Sequence, residues 1–327
     1  MNILVTGGTG FIGSHLLEAL VGEGHRVRTV AKDNRNAGVL ESLGVEVVIG
    51  DLNNGCAWAP LFDGVECVYH LAGVTRARTN REYYEGNFLA TKKFLGVCAD
   101  HAAGLRRFVY ISSQAAAGPS PDGRPLTENS PCHPVSDYGL SKKLAEQEVW
   151  RFRDAFPVTI IRPSAVYGPR DRDMLQLFQI IKRRFQPVIG FGRKWLNVVH
   201  VRDAVAGLVL AGSHPGAEDE LFFIGSEHSV TTEDLGRSIA DALESAPIRM
   251  PVPHWVAYAV GAVMEGLGKV SGRQVLYNLQ KVRESVQKAW LLSVEKAGTR
   301  LGFRSRVPLA EGMKETCAWY VANGWLN

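Results

Sequence analysis

The sequence predicts an α/β fold: a doubly wound parallel sheet with helices on both faces, followed by a smaller, mostly helical domain. Three observations predict it. Short apolar runs alternate with helical patterns through the first half of the chain. Those runs lack the in/out alternation of a half-exposed sheet, as strands covered on both faces do. After about Gly168 the helical patterns take over.

In chain order, strands are expected at Asn2–Val5, Arg26–Ala31, Val45–Ile49, Cys67–Leu71, Phe108–Ser112 and Val158–Ile161. They are short and rich in Val and Ile, the residues that fit a pleated, buried surface. Helical patterns cover Phe11–Val21, Tyr83–Ala102 and Tyr138–Phe152 between them. This alternation implies right-handed βαβ units and hence a parallel sheet. Later helices are expected at Met174–Arg184, Ala204–Ala211, Thr232–Leu243, Trp255–Leu267 and Leu309–Asn323. Val198–Val201 and Leu221–Ile224 read as isolated strands, and Pro187, Gly190, Gly192 and Pro215 as turns. The expected division is 1–168 and 169–327, with 198–212 returning to the first domain.

Composition narrows the function. The 327 residues are 46% hydrophobic and 21% charged, an ordinary globular balance. A net charge of +4 from 37 basic and 33 acidic residues is too small and dispersed for nucleic-acid binding. The five cysteines (Cys56, Cys67, Cys98, Cys132, Cys317) form no C-x-x-C pair. A disulfide framework or structural zinc is therefore not expected, no metal site is, and a reducing cytoplasm fits. Met1–Thr6 opens directly as a strand, so no signal peptide is expected. The most apolar later stretch, Pro251–Val270, is interrupted by His254, Glu265, Lys269 and several glycines. It reads as a helix packed in the second domain and not as an integral membrane segment.

The first strand runs into Gly7-Gly8-Thr9-Gly10-Phe11-Ile12-Gly13 and then a helix. The early glycines permit a tight turn, the middle one lets the backbone approach a pyrophosphate, and the last lets helix pack on strand. The helix N-terminus offers free N–H groups and a positive dipole end to phosphates. Position at a strand-to-helix junction makes this a dinucleotide site, with Gly7, Gly10, Phe11, Ile12 and Gly13 as its contacts. The second strand ends at Val30-Ala31-Lys32-Asp33. An acid at that end would bind the ribose 2′-OH of NAD. Ala31 stands there instead, followed by Lys32 with Arg35 nearby, which suits the 2′-phosphate of NADP; Asp33, by another loop path, would favour NAD. Asp51-Leu52 follows the third strand, where an Asp can accept from the adenine amino group. His70-Leu71-Ala72-Gly73 ends the fourth, with Leu71 and Ala72 at the cofactor edge and His70 read as a packed strand residue.

Tyr138-Gly139-Leu140-Ser141-Lys142 opens a helix, and positions i and i+4 share one face. A free tyrosine titrates at about 10. A neighbouring ammonium is expected to lower that by about 2–3 units, or roughly 3–4 kcal/mol. Tyr138 would then work as a proton donor or acceptor near neutral pH. Ser112-Ser113 end the fifth strand, where a hydroxyl can polarise a carbonyl. A second such pair, Tyr277 and Lys281, has no preceding strand with a terminal hydroxyl and reads as coincidence.

These residues resemble the extended short-chain dehydrogenase/reductase superfamily, in its NAD-dependent epimerase/dehydratase branch. Thr6–Gly13, Asp51-Leu52, His70–Gly73, Asn87, Ser112-Ser113, Tyr138–Lys142, Arg162-Pro163-Ser164, Val166–Pro169 and His200–Asp203 stand in that family's order and spacing. The resemblance implies a Rossmann domain with a C-terminal substrate domain. It implies Tyr138 as acid/base, Lys142 on the nicotinamide ribose, and Ser113 on the substrate oxygen. Pro163 and Ser164 would border the carboxamide, and Asn87 would help shape the site. It also implies a homodimer through the helices of Tyr83–Ala102 and Tyr138–Phe152.

Family dehydratases follow the active-site hydroxyl residue with Asp-Glu; here Gln114-Ala115 argue against 4,6-dehydration. Family nucleotide-sugar epimerases place an Arg after the Gly-x-Gly turn; here Trp195 takes that place, with Arg193 and Lys194 beside it. Val27–Asp33 and Ser141–Trp150 are similar to dihydroflavonol reductases and 3β-hydroxysteroid dehydrogenases. The expected activity is hydride transfer between NAD(P) and a bulky ketone or secondary alcohol, with NADP preferred. The alternatives are a nucleotide-sugar 4-epimerase with tightly bound NAD and a non-catalytic dinucleotide sensor.

Overall fold

The computed structural model describes residues 1–33, 37–51, 58–101, 103–271 and 277–326, with backbone alone at 269–271. The first half alternates β1 Asn2–Thr6, α1 Phe11–Gly22, β2 Arg26–Ala31, α2 Ala37–Ser42, β3 Glu46–Ile49, α3 Trp58–Phe62 and β4 Cys67–His70. It continues through α4 Asn80–Tyr83, a π-helical turn Tyr84–Leu89, α5 Ala90–His101, β5 Arg107–Ile111, α6 Gln114–Ala117, α7 Asp137–Arg151 and β6 Val158–Pro163. Then come β7 Ala165–Tyr167, α8 Arg172–Lys182, β8 Phe185–Ile189, β9 Trp195–Leu196, β10 Val198–His200, α9 Val201–Ser213 and β11 Glu220–Ile224. The chain ends with β12 Val230–Thr231, α10 Thr232–Ala242, β13 Ile248–Val252, α11 His254–Ser271, α12 Leu279–Ser285, β14 Ala289–Trp290, α13 Glu295–Leu301 and α14 Leu309–Ala322.

The main sheet has seven strands in the order β11-β6-β5-β4-β1-β2-β3. Every pairing in it is parallel. The order reverses between β1 and β4, so a crevice opens beyond their carboxyl ends, where ligands bind in such sheets. One face buries Leu16, Leu17 and Leu20 of α1 with Val201, Val205 and Leu208 of α9. The other buries Phe94, Leu95 and Cys98 of α5 with Ala145 and Val149 of α7. Both faces are therefore dry, which is why the strands read as apolar runs without alternation. A third cluster joins Phe178 and Ile181 of α8, Ile239 of α10, and Met313 and Tyr320 of α14.

Three details depart from the sequence reading. The run at Leu221–Ile224 is not isolated: β11 is the outer strand of the main sheet, in register with Thr159–Pro163. Likewise β10 pairs with β7. A five-residue apolar run carries no mark of its partner, so pairing across such separations is invisible locally. Pro187, read as a turn, lies inside β8, which pairs in parallel with β13 across Pro187 and Met250. Both strands of a two-stranded ribbon are edges, where a missing N–H is tolerated. The expected single helix from Tyr83 contains the π-helical turn Tyr84–Leu89, and Ala102 lies outside the described residues.

Candidate active site

The phosphate end is built from a few consecutive residues. Gly7 adopts φ 75°, and the Gly10 N–H donates to its carbonyl at 3.0 Å. A Cβ on Gly13 would fall 2.2 Å from that same oxygen, so only glycine lets α1 start there. Gly10 caps α1 without a side-chain acceptor, leaving the N–H groups of its first turn, at Phe11, Ile12 and Gly13, pointing out of the helix. Among the described residues, chain neighbours apart, the Gly7 carbonyl oxygen alone lies within 4 Å of a Cβ built on Gly10. This cradle fits a pyrophosphate. Leu71 and Ala72 close over it: their N–H groups donate to the Thr6 carbonyl (3.0 Å) and hydroxyl (3.3 Å).

Past the carboxyl ends of β2 and β3 stand Lys32 and Asp51. Their side chains pair at 3.5 Å, with Lys32 74% exposed. Leu52 and Arg35 lie outside the described residues. At the opposite end, Pro163 terminates β6 and Ser164 hands its N–H to the Ile224 carbonyl at 2.8 Å. The Ser164 hydroxyl is buried without a partner among the described residues. An orphaned buried hydroxyl costs about 1–3 kcal/mol, and a carboxamide placed there would satisfy it.

Between them stand Ser113, Tyr138, Lys142 and Asn87, the residues expected to carry chemistry. Ser113 follows β5 and caps α6, its Oγ accepting from the Ala115 N–H at 3.1 Å. Ser136 caps α7 in the same way at Gly139. A Cβ on Gly139 would fall 2.3 Å from the Ala115 carbonyl, so a glycine lets α7 press against α6. That approach brings the Tyr138 phenol into hydrogen-bond contact with Ser113. One turn on, Lys142 is buried and donates to the Ile111 carbonyl at 2.5 Å. Its ammonium sits 4.3 Å over the Tyr110 ring. Asn87, presented by the π-helical turn, accepts from the Val74 N–H at 2.7 Å. It donates to the Val74 carbonyl and to the Ser141 hydroxyl, each at 2.9 Å. It thereby ties the loop after β4 to the helix carrying Tyr138 and Lys142.

Comparison with known proteins decides the family. The profile described as "NAD dependent epimerase/dehydratase family" matches residues 3–225. The chain belongs to the NAD-dependent epimerase/dehydratase family. It is 32% identical to the ceramide reductase of Caulobacter vibrioides (strain NA1000 / CB15N), over 99% of this chain and 96% of that one. It is 26% identical to the UDP-glucose 4-epimerase of Vibrio cholerae, over 96% and 94%. The crystal structure of gox2253 superposes with a TM-score of 0.82 at 28% identity, covering 99% of each chain. As in this family at large, the chain is an NAD(P)-dependent enzyme of the oxidoreductase/epimerase type on a Rossmann sheet.

Within that family frame, the electrostatics correct one expectation. Lys142 does not make Tyr138 acidic here. Burial pushes the Tyr138 phenol above its ordinary value, and the Ser113 hydrogen bond only moderates this. Burial also draws Lys142 down, to about 7, with Glu146 opposing. Both groups lose water, and the ammonium is spent on a carbonyl, so desolvation outweighs attraction. The charges that do act on Tyr138 are Glu284 and Lys281 of α12. Lys281, half of the pair read as coincidence, therefore faces the site through α12 without needing Tyr277. His70 is a packed strand residue: it bonds Thr6 (2.7 Å) and Thr91 (3.0 Å), and burial lowers it to about 3.

Sequence reasoning missed the α12 contact. Gln280 exchanges hydrogen bonds with Asp137, receiving its N–H at 2.8 Å and donating to its carboxylate. Tyr84 donates to the other Asp137 oxygen at 2.6 Å, and Ser136 donates to Glu284 at 2.7 Å. The two residues before Tyr138 are thus clamped by a helix more than 140 positions later. Lys194, beside the position where family epimerases carry their Arg, donates inward to the Ser285 carbonyl at 2.6 Å. Trp195 lies in β9 and is 39% exposed.

Proposed function

We propose that this protein is an NADP(H)-preferring ketoreductase acting on a bulky, apolar ketone or the corresponding secondary alcohol. The observation that carries the reading is the Ser113–Tyr138 hydroxyl pair at the carboxyl end of β5, beside the crevice of the parallel sheet. The similarity to a ceramide reductase supports an apolar substrate. So does the family resemblance of Val27–Asp33 and Ser141–Trp150 to reductases of bulky ring systems.

Bound across the crevice, the dinucleotide would supply or take up a hydride. Gly7, Gly10, Phe11, Ile12 and Gly13 would hold its pyrophosphate, Leu71 and Ala72 would cover it, and Pro163 and Ser164 would meet the carboxamide. Lys142 would hold the nicotinamide ribose. Lys32 would take the 2′-phosphate, releasing Asp51 for the adenine amino group together with Leu52. Asp33 stands close enough in sequence to oppose this preference. In the reducing direction, the ketone oxygen accepts from the Ser113 and Tyr138 hydroxyls. Burial pushes the Tyr138 phenol further above neutrality than an ordinary tyrosine, which favours its protonated form. The phenol can therefore hand that proton to the oxygen as the carbonyl carbon gains hydride. In the oxidising direction the same groups run in reverse.

A second reading is a 4-epimerase of nucleotide sugars with retained NAD, favoured by the similarity to UDP-glucose 4-epimerase. Lys194 turned to Ser285 favours the reductase. A non-catalytic sensor is disfavoured because Ser113, Tyr138 and Lys142 are all in place.

The working assembly we infer is a homodimer through 80–101 and 137–151, whose exposed large apolar residues include Leu89 and Leu140. Residues 1–168 with 198–212 would form the cofactor domain, and the remainder of 169–327 the substrate side. A cytoplasmic setting is supported by the free thiols of Cys67, Cys98, Cys132 and Cys317. The test is a titration with NAD and NADP, followed by a screen of apolar ketones and nucleotide sugars. Tighter NADP binding and turnover of ketones uphold the reading. Bound NAD on purification, with turnover of a nucleotide sugar alone, overturns it.

A further inference from the structure

We propose that the outer face of α11, together with the β8–β13 ribbon that feeds it, docks on an anionic lipid bilayer. The starting observation is a helix whose faces are reversed. A helix on a globular protein turns its bulky apolar residues inward. Here the inward face is made of small residues. Ala257 is buried, and a Cβ on Gly261 would fall 2.6 Å from Val282 of α12. Glu265 also turns to α12, accepting from the Leu279 N–H. The outward face carries Trp255 at 73% exposure, Val263 at 61% and Leu267 at 58%, with Tyr258, Val260 and Met264 beside them.

The ribbon continues this surface. Phe185 pairs with Ile248 and Pro187 with Met250, so these four share one face. Phe185, Ile248 and Met250 are exposed there. Gln186 points the other way, where a Cβ on Gly236 of α10 would fall 2.1 Å from its amide. Only Pro253 separates the ribbon from α11, and the His254 ring packs against Gly190 at the ribbon's end.

Charge decides the occupant. Arg183 and Arg184 lead directly into Phe185, and both are exposed. Neither has a carboxylate partner among the described residues. The ribbon strands of a second copy carry no carboxylate to meet these cations. An anionic headgroup layer would neutralise them while the Trp, Val, Met and Leu side chains enter the acyl boundary. At 1.5 Å per residue α11 is about 27 Å long, enough to lie along the surface. No helix among the described residues is long and apolar enough to cross a membrane, so a lying helix is the geometry that fits. This inference does not depend on the ketoreductase reading.

The test is flotation of the full-length protein with vesicles of phosphatidylcholine alone or mixed with phosphatidylglycerol. The protein should float with the mixed vesicles and at least about tenfold less with the neutral ones. Trp255→Glu with Val263→Glu should abolish flotation while thermal unfolding still shows a folded chain. Arg183→Ala with Arg184→Ala should weaken it by about fivefold per arginine at low salt. This second variant keeps the test decisive if the first fails to fold. Failure of the unaltered protein to float with anionic vesicles overturns the proposal. So does equal flotation with neutral vesicles, or a wild-type dimer that the Trp255→Glu variant splits without any vesicle dependence.

Discussion

The two ends of the sheet's crevice are built in opposite ways. At the phosphate end, Gly7 to Gly13 make the cradle almost unaided, from one turn and one uncapped helix start. At the chemical end, Ser113, Tyr138, Lys142 and Asn87 come from separate elements, and α12 clamps the Tyr138 turn from far along the chain. Local construction leaves a sequence signature; assembled construction leaves pieces whose charges are set only by packing. A ligand grip can thus be read from a short window, while the protonation of the reacting groups cannot.

The largest effect should come from breaking the chemical end alone. Tyr138→Phe should lower hydride transfer by about 10³-fold or more while leaving NADP affinity within about twofold. Stopped-flow absorbance of the nicotinamide, with a fluorescence titration beside it, checks both. If cofactor binding collapsed as well, the two ends would not be separable. Ser113→Ala should cost about 10²-fold in kcat, because one of two donors to the substrate oxygen is lost. A rise in KM with unchanged kcat would move Ser113 from chemistry to binding.

Much of the fold was legible before any coordinates. The six strands from β1 to β6 and helices α1 and α7 fall within a residue or two of the expected spans, because continuous Val/Ile runs and the glycine loop are local signals. The π-helical turn was hidden because one extra residue barely disturbs a helical pattern of some twenty positions. It matters because it aims Asn87 at Val74 and Ser141. The β8–β13 ribbon was hidden by its prolines, and α12 by distance: Gln280 meets Asp137 across 143 positions. Of the charges, Lys142 was expected to acidify Tyr138, but burial of both reverses the outcome.

That reversal makes its own prediction. Lys142 titrates at about 7 in the folded protein against 10.5 ordinarily. Between those values the unfolded chain holds the proton and the folded one does not, so this group makes stability rise with pH across that window. Below about 7 both states carry the charge and the contribution is at its most unfavourable. Lys142→Met should flatten the rise between pH 7 and 10, as urea midpoints at several pH values would register. An unchanged slope would mean that the ammonium is not desolvated.

The smallest effect belongs to the adenosine end. Lys32 is largely exposed and paired only loosely with Asp51, so its removal trades one screened contact. Lys32→Ala should weaken NADP by about three- to tenfold and NAD hardly at all. Equal losses for both would take Lys32 away from the 2′-phosphate.

The central claim is net hydride transfer to an exchangeable ketone. It is tested most directly by supplying NADPH carrying deuterium at both C4 positions of the nicotinamide and weighing the product. The account predicts one deuterium in each alcohol formed and one NADP released per turnover. A product without deuterium, formed by protein that never exchanges its dinucleotide, would contradict it.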